Sequence, residues 1–419
     1  MNDDSQSAPP LSGGAPSRLV CFVGCYGSTT QNKGGGIHVF DVGAGGAKLV
    51  ELSCARDVLE AGYLVYAPGS RTLYAVDERK TDGRGPVGPA ARVHAFGVDP
   101  RDGHLTWKNS RPAPGPFPTF LDLDEAAGAL VTANHGSFVH VERVVQRSAD
   151  EWVSEFVYDD STVILYGIED DGSVGRIRDL KILSGHGMDP NHSPQNGGHA
   201  QSSAHAHCAV IDPSGRFVLV CDKGTDRIFV YSLGATLELV STYQFPPEVG
   251  PRHAAFDLRN DRVFVTCEFS SELASFAFDH TTGGLTLLDR CSTVAADYSG
   301  LNEPAEVRVH PHANYVYVNN RGEDSIAWFS VDGDGRPGRA GSVSLAKSLH
   351  PGLAARSFAF DPSGAFLLLA DRPANLVRSY AVNACDGSLR QIGDASVLDP
   401  AFVAFAELAG EGPNVEKDN

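Results

Sequence analysis

Short apolar runs alternate with proline- and glycine-containing turns along most of the chain, and the pattern repeats. Seven of these runs align with one another: FVGCY (22–26), LYAVDE (73–78), LVTANH (130–135), VLVCDK (218–223), VFVTCE (263–268), VYVNNR (316–321) and LLLADR (367–372). Another apolar run precedes six of them, and further runs follow most of them. Such runs are typical of β-strands. Four strands per unit, repeated about every 50 residues, predict an all-β fold, a seven-bladed β-propeller with four-stranded blades.

The first unit lacks a leading strand, because residues 1–17 are polar and rich in proline and glycine. The end of the chain offers a replacement, since PAFVAFAEL (400–408) resembles PTFLDLD (118–124). We therefore expect the C-terminal strand to be the innermost strand of the first blade. It would close the ring and remove an exposed sheet edge. The sequence thus predicts one propeller over 18–409, with disordered tails at 1–17 and 410–419.

Two long insertions interrupt the repeat. One, at 136–162, leaves the third blade, and the other, at 184–206, enters the fourth. Both follow hairpin ends of the same polarity, so both are predicted at the same mouth of the central channel. Long loops in compact folds are more often functional than decorative, which favours a partial lid.

Charge and composition exclude several classes of partner. The net charge of −18 argues against nucleic acid or an anionic membrane as a ligand. No apolar stretch approaches the roughly 20 residues that span a bilayer, and the acidic start lacks the apolar core of a secretory signal. The eight cysteines are scattered, several within predicted strands, and indicate free thiols. We therefore expect a cytoplasmic protein, with a monomer favoured over an oligomer.

Sixteen residues separate two marked positions in each of six successive hairpins, and most of these positions are polar. The first position opens the first strand of the hairpin, and the second closes the second strand. The pairs are Gly62 and Glu78, Thr119 and His135, His207 and Lys223, Arg252 and Glu268, Ala305 and Arg321, and Arg356 and Arg372. Two strands joined by a tight turn are antiparallel, so both members of a pair lie at the same end of their hairpin. The spacing therefore predicts two tiers of residues around one mouth of the channel.

The two tiers gather several cations around Glu268. The candidate catalytic residues are Glu268, His207, Arg252 and Arg321, and the candidate substrate-binding residues are Arg356, Lys223, His135 and Arg372. Converging arginines indicate an anionic ligand, because guanidinium binds carboxylate or phosphate through two parallel hydrogen bonds. Glu268 should stay ionised among them, and His207 could exchange a proton near neutral pH. The alternative is that these residues only tie neighbouring blades together.

Neither a metal nor another cofactor is expected. The segment 184–207 carries five histidines: His186, His192, His199, His205 and His207. The last two would point to opposite faces of an extended strand, which makes a poor chelate. The other three lie among glycine, serine and asparagine, as in a flexible loop. No cysteine falls in either tier, and GGG (34–36) joins two strands rather than opening a helix, so a wide turn is favoured over a phosphate site.

At these residues the chain resembles the seven-bladed β-propeller lactonases, a family that includes cytosolic 6-phosphogluconolactonases and carboxy-cis,cis-muconate lactonizing enzymes. The resemblance is carried by HAHCAVIDPSGRFVLVCDKGTDRIFVY (205–231), GPRHAAFD (250–257), VTCEFSSELASF (265–276), VYVNNRGEDSIAWFSVD (316–332) and ARSFAFDPSGAFLLLAD (355–371). It implies that the active-site residues are His207, Arg252, Glu268 and Arg321. Arg356 matches a further arginine of the lactonase branch.

The resemblance implies a lactonase that acts on an anionic sugar or sugar-acid lactone. The arginines would hold the anionic group and stabilise the oxyanion. Glu268 or His207 would activate water, and the other would protonate the leaving alkoxide. Two alternatives stay open: a cyclase that adds a substrate carboxylate to its own alkene, and a propeller that binds a ligand or protein without catalysis.

Overall fold

The computed structural model describes residues 18–27, 34–80, 90–188, 200–257 and 261–408. These residues form thirty β-strands and three 3-10 helices, Ala44–Gly46, Pro351–Leu353 and Arg372–Ala374. None of the helices in these ranges is long and apolar enough to cross a membrane. The tails predicted at 1–17 and 410–419 lie outside the described residues.

Each blade is a four-stranded antiparallel sheet, and seven such sheets surround the channel. The first three blades contain β1 (Arg18–Cys25), β2 (Gly36–Val42) and β3 (Leu49–Ala55); β4 (Ala61–Ala67), β5 (Thr72–Asp77), β6 (Arg92–Val98) and β7 (Leu105–Pro112); and β8 (Pro118–Asp124), β9 (Ala129–Asn134), β12 (Ser161–Ile168) and β13 (Val174–Leu183). A separate hairpin, β10 (His140–Ser148) and β11 (Glu151–Tyr158), interrupts the third blade.

The other four blades follow without interruption. They contain β14 (Ala206–Ile211), β15 (Phe217–Asp222), β16 (Arg227–Leu233) and β17 (Leu237–Gln244); β18 (Pro251–Asp257), β19 (Arg262–Cys267), β20 (Glu272–Asp279) and β21 (Gly284–Ser292); β22 (Glu303–Val309), β23 (Tyr315–Arg321), β24 (Ser325–Val331) and β25 (Pro337–Ser344); and β26 (Ser357–Phe360), β27 (Phe366–Asp371), β28 (Leu376–Val382) and β29 (Leu389–Ser396). The predicted seven-bladed, all-β fold is confirmed.

The last strand, β30 (Pro400–Leu408), closes the ring as predicted. It pairs antiparallel with β1 and becomes the innermost strand of the first blade. Phe402 is buried and its ring lies 3.9 Å from the ring of Tyr63 in the second blade. Phe405 packs edge-on against Phe366 of the seventh blade, with ring centroids 6.0 Å apart. The C-terminal strand therefore joins the first blade to both of its neighbours.

Six of the innermost strands carry a β-bulge where they begin. Pairing shifts register in β4, β8, β14, β18, β22 and β30. A bulge sets two residues of one strand against a single residue of its partner, which re-aims the side chains. Consecutive residues consequently both line the channel, as Arg252 and His253 do in the fifth blade. These bulges add polar groups to the channel wall below the two predicted tiers.

The hairpin β10–β11 stands apart from the propeller. Most of its side chains are exposed, and Val144, Trp152 and Phe156 are 71%, 63% and 57% accessible. Only the residues before it, 136–139, line the channel mouth. Of the second insertion, 189–199 lie outside the described residues, while Gln201 donates a hydrogen bond to the carbonyl of Lys223 at 3.0 Å. Both insertions thus contact the mouth, and closure over it stays a prediction.

Replacing 140–158 with a short Gly-Ser bridge should leave the propeller folded. The hairpin is its own two-stranded sheet, and its apolar side chains are already in water, so removing it sacrifices little buried surface. The melting temperature should stay close to that of the parent chain, and aggregation on heating should decrease because an exposed apolar patch is removed. Scanning calorimetry and light scattering test this. Loss of the cooperative transition would contradict it.

Candidate active site

A polar pocket of about 590 Å³ opens at one mouth of the channel. Seven of the eight predicted site residues line it: His135, His207, Lys223, Arg252, Glu268, Arg321 and Arg356. They come from blades three to seven, at the start of innermost strands or the end of the strands that follow. The sixteen-residue spacing therefore brings these side chains together around one cavity.

Arg372 is the residue that the structure places elsewhere. Its guanidinium forms an ion pair with Asp399 and donates a hydrogen bond to the carbonyl of Gly352 at 3.0 Å. It also lies 4.8 Å from the centre of the Tyr26 ring. Arg372 does not line the pocket and supports Tyr26 from behind. Strand β27 ends at Asp371 and a 3-10 helix begins at the next residue, Arg372, whose side chain is held by Asp399 and Gly352 outside the pocket.

Glu268 is the centre of the cationic cluster. Its carboxylate lies 2.5 Å from Lys223 Nζ, 2.7 Å from Arg252 Nε and 2.9 Å from Arg321 Nη2. Burial alone would raise the pKa of Glu268, but the charges of Lys223, Arg321 and Arg252 outweigh it and hold the pKa well below its usual range. A carboxylate so strongly stabilised as an anion is a weak base. Its geometry suits an anchor that orients three cations better than a group that removes a proton.

Arg252 keeps hydrogen-bonding capacity for a ligand. Its side chain is 2% exposed, and among the described residues its Nη1 atom has no hydrogen-bond partner. A buried donor without a partner is costly, so an acceptor at this position would be bound favourably. The neighbouring Arg321 is committed on two sides, to Glu268 and, at 3.0 Å, to Glu303. Arg252 thus keeps a donor for a carbonyl or anionic oxygen, whereas Arg321 is held by two carboxylates.

Arg356 of the seventh blade is a second cationic position in the pocket. Arg356 donates a hydrogen bond to the Tyr26 hydroxyl at 2.8 Å, and that hydroxyl donates to Glu78 at 2.6 Å. Arg356 Nη1 also lies 3.6 Å from Glu78. Glu78 and Tyr26 come from the second and first blades, so this group bridges the point of ring closure. The pocket therefore presents a second fixed cation, supplied by the seventh blade, beside the cluster around Glu268.

His207 is buried and lies beside His253, which is not one of the positions in the sixteen-residue pairs. Its Nδ1 atom is 3.2 Å from Nε2 of His253, whose Nδ1 is 3.6 Å from Glu306. Burial, with Arg252 and His253 beside it, holds the pKa of His207 well below its usual value. The imidazole is therefore neutral at pH 7, so one of its ring nitrogens keeps a lone pair that can accept a proton. His253 and Glu306 each follow a first-tier position, Arg252 and Ala305, and the bulges turn them inward.

Two described histidines of the histidine-rich segment, His186 and His205, contact neighbouring residues of the chain. His205 is fully buried, stacks on His135 with ring centroids 4.5 Å apart, and has Nδ1 2.9 Å from the His135 carbonyl. His186 lies with Nδ1 2.6 Å from the carbonyl of Gly187. The described residues include no group of three or more His, Cys, Asp or Glu side chains arranged to hold a metal ion. His192 and His199 lie outside the described residues.

The chain is similar to known proteins over most of its length. The 6-phosphogluconolactonase of Bacillus subtilis is 26% identical over 363 residues, covering 86% of this chain and 91% of that protein. The 6-phosphogluconolactonase of Formosa agariphila is 24% identical over 392 residues, covering 90% and 96%. The solved periplasmic gluconolactonase of Pseudomonas aeruginosa superposes with a TM-score of 0.74, at 24% identity and with 94% and 100% of the two chains covered.

The family comparison covers almost all of the propeller. The model described as "Lactonase, 7-bladed beta-propeller" matches residues 21–405, from the first strand of the ring to the last. That span includes every residue lining the pocket. The chain belongs to the seven-bladed β-propeller lactonase family.

Proposed function

We propose that the protein hydrolyses the lactone of an anionic sugar or sugar acid. The observation that carries the proposal is the buried Arg252 guanidinium, held by Glu268 at 2.7 Å while its Nη1 has no partner in the described part of the chain. A fixed donor in a site shielded from water stabilises the charge that develops on a carbonyl oxygen during attack. The relatives named 6-phosphogluconolactonase support a phosphorylated sugar lactone as the first substrate to test.

Each polar group has a role in this reaction. Arg252 would receive the carbonyl oxygen, while Arg356 or Lys223 would hold the anionic substituent. His207, neutral at pH 7, would take a proton from water as the water oxygen attacks the carbonyl carbon. The tetrahedral oxyanion then collapses, the ring C–O bond breaks, and the protonated His207 returns the proton to the departing alkoxide. Glu268 would keep the cations in place rather than act on the water.

The substrate class can be tested directly by titration. The purified protein would be held at constant pH with δ- and γ-lactones, with and without phosphate, and with muconates. Release of acid from an anionic lactone supports hydrolysis, with the phosphorylated δ-lactone expected to react fastest. Loss of diene absorbance from a muconate would instead support the cyclase. Inertness towards all of them would favour a binding propeller and contradict the proposal.

Arg252→Lys should lower kcat/KM for the lactone by about 10². Lysine keeps the positive charge but lacks the planar fork that contacts Glu268 and a ligand oxygen together. Arg290→Lys is the matched control, because Arg290 pairs with Glu272 in the same blade but does not line the pocket. Steady-state kinetics and thermal unfolding separate lost chemistry from lost folding. Equal activity of the two variants would remove Arg252 from the proposed site.

A location in the cytoplasm is part of this proposal. All eight cysteines are free, including Cys208 and Cys221, which are paired in register on neighbouring strands. Free thiols support a reducing compartment. The Pseudomonas aeruginosa gluconolactonase of the same fold is periplasmic, so the fold is compatible with either compartment. Labelling of the thiols in fractionated cells would test the location.

A further inference from the structure

A buried row of polar side chains extends from His207 across three blades. His207 is on β14, His253 on β18 and Glu306 on β22. The 3.2 Å between His207 Nδ1 and His253 Nε2 is within hydrogen-bonding range, while His253 Nδ1 lies 3.6 Å from Glu306 Oε1. The three residues are 7%, 4% and 2% exposed, so water does not compete for these positions. In the proposed hydrolysis only His207 exchanges a proton with water, and His253 and Glu306 have no role.

Packing fixes the plane of the middle ring. Phe120 and Tyr63 meet the His253 ring edge-on, with centroids 5.2 Å and 6.3 Å away. Rotation of the imidazole would drive it into these aromatic rings. In this plane, Nδ1 of His253 lies towards Glu306 and Nε2 lies towards His207.

The charge on Glu306 determines where the imidazole protons lie. Burial would raise the pKa of Glu306, but Arg308, with Nε at 3.2 Å, and His253 outweigh it and keep the pKa below its usual value. The ionised carboxylate, 3.6 Å from His253 Nδ1, favours a proton on that nitrogen, because the N–H dipole then points at the negative charge. Burial lowers the pKa of His253 to about 4, so this ring is neutral and its Nε2 is an acceptor. The partner nitrogen, Nδ1 of His207, must then be the donor.

The position of these protons determines which nitrogen of His207 can act as a base. A neutral His207 with hydrogen on Nδ1 has its lone pair on Nε2, which is the nitrogen that does not face His253. Only that tautomer can accept a proton from water through Nε2. The opposite tautomer would leave two lone pairs facing each other between the rings.

We propose that His253 and Glu306 are positioning residues that hold His207 in the tautomer able to act as a base through Nε2. The kinetic part of this inference rests on the proposed lactone hydrolysis, whereas the tautomer itself does not. The charged and titratable groups that face the three residues are Lys223, Arg252, His135, Arg308 and Tyr63. The neighbouring cations disfavour a protonated imidazole, and Glu306 opposes them.

The tautomer can be measured without any substrate. In the full ¹⁵N-labelled protein, two-bond proton–nitrogen correlations distinguish an Nδ1–H imidazole from an Nε2–H imidazole, with His207→Asn used to assign the signal. We expect His207 to show the Nδ1–H pattern near neutral pH. Glu306→Gln should give a mixture of tautomers, because an amide can donate or accept. His94→Gln is the matched control, since His94 is buried 4.0 Å from Asp77 in the second blade; it should leave the His207 signal unchanged.

The kinetic experiment separates positioning from simple support of the fold. Glu306→Gln should lower kcat several-fold, because only the fraction of His207 that keeps the Nδ1–H tautomer has a base at Nε2. It should also shift the acid limb of the kcat/KM profile to lower pH, because losing the negative charge destabilises the protonated form of the histidine pair. A purely structural role would lower the melting temperature and leave the limb in place, which would overturn the inference. An Nε2–H pattern for His207 in the unaltered protein would overturn it too, whether or not any lactone is hydrolysed.

Discussion

Glu268→Gln is expected to destabilise the folded protein by about 3–5 kcal/mol, the usual cost of leaving buried charges without a partner. The carboxylate is 2% exposed and is shared by Lys223, Arg252 and Arg321, so its removal leaves three cations in mutual repulsion. Turnover should fall by at least about 10², because the donors that face the ligand lose their orientation. Denaturant unfolding and steady-state kinetics on the same preparation measure both effects.

A substitution of a less buried glutamate tests whether the burial of Glu268 accounts for the expected loss of stability. Glu272→Gln removes a carboxylate of the same blade that pairs with Arg290 near the surface, with both side chains about a quarter exposed. Such a pair contributes about 1 kcal/mol or less, so this variant should melt near the parent chain and keep its activity. If Glu268→Gln unfolded with the same midpoint as Glu272→Gln, the carboxylate would not be the centre of the cluster.

Deleting 400–419 should abolish the cooperative fold. The deletion removes β30, leaves the edge of β1 unpaired, and withdraws Phe402 from its contact with Tyr63. An open sheet edge next to exposed aromatic rings favours aggregation. Deleting 410–419 alone is the control and should leave the melting temperature unchanged. Circular dichroism and size-exclusion chromatography would report both outcomes. A monomer with unchanged melting after the longer deletion would disprove closure by the last strand.

The architecture and most of the pocket could be predicted from the sequence because both follow from a fixed spacing. A hairpin of constant length returns the chain to the same end of the blade, so Arg252 and Glu268 meet, as do His207 and Lys223. The ring itself needs only the count of repeats and a strand to complete the first one. Because every hairpin has the same length, its local geometry was enough to predict that residues far apart in the chain meet at one mouth of the channel.

The spacing failed where the backbone departs from regular pairing. Strict alternation would send His253 and Glu306 into the blade, but the bulges in β18 and β22 turn them into the channel. Two adjacent polar residues at the start of an otherwise apolar strand, as in GPRH (250–253), are the signal that could have revealed this. Arg372 occupies a tier position by count, yet a 3-10 helix begins there and its side chain is held by Asp399 outside the pocket.

Ring closure by β30 also has a consequence for biosynthesis. The ribosome makes β1 before all the other strands of the ring and β30 after them, so the first blade waits for the rest of the propeller to be translated. Until then, the nascent chain displays an unpaired strand edge. A translation product that lacks β30 would have six complete blades and a first blade in which the edge of β1 stays unpaired. We expect such products to aggregate through this edge, so the first blade can fold only once synthesis has reached the last strand.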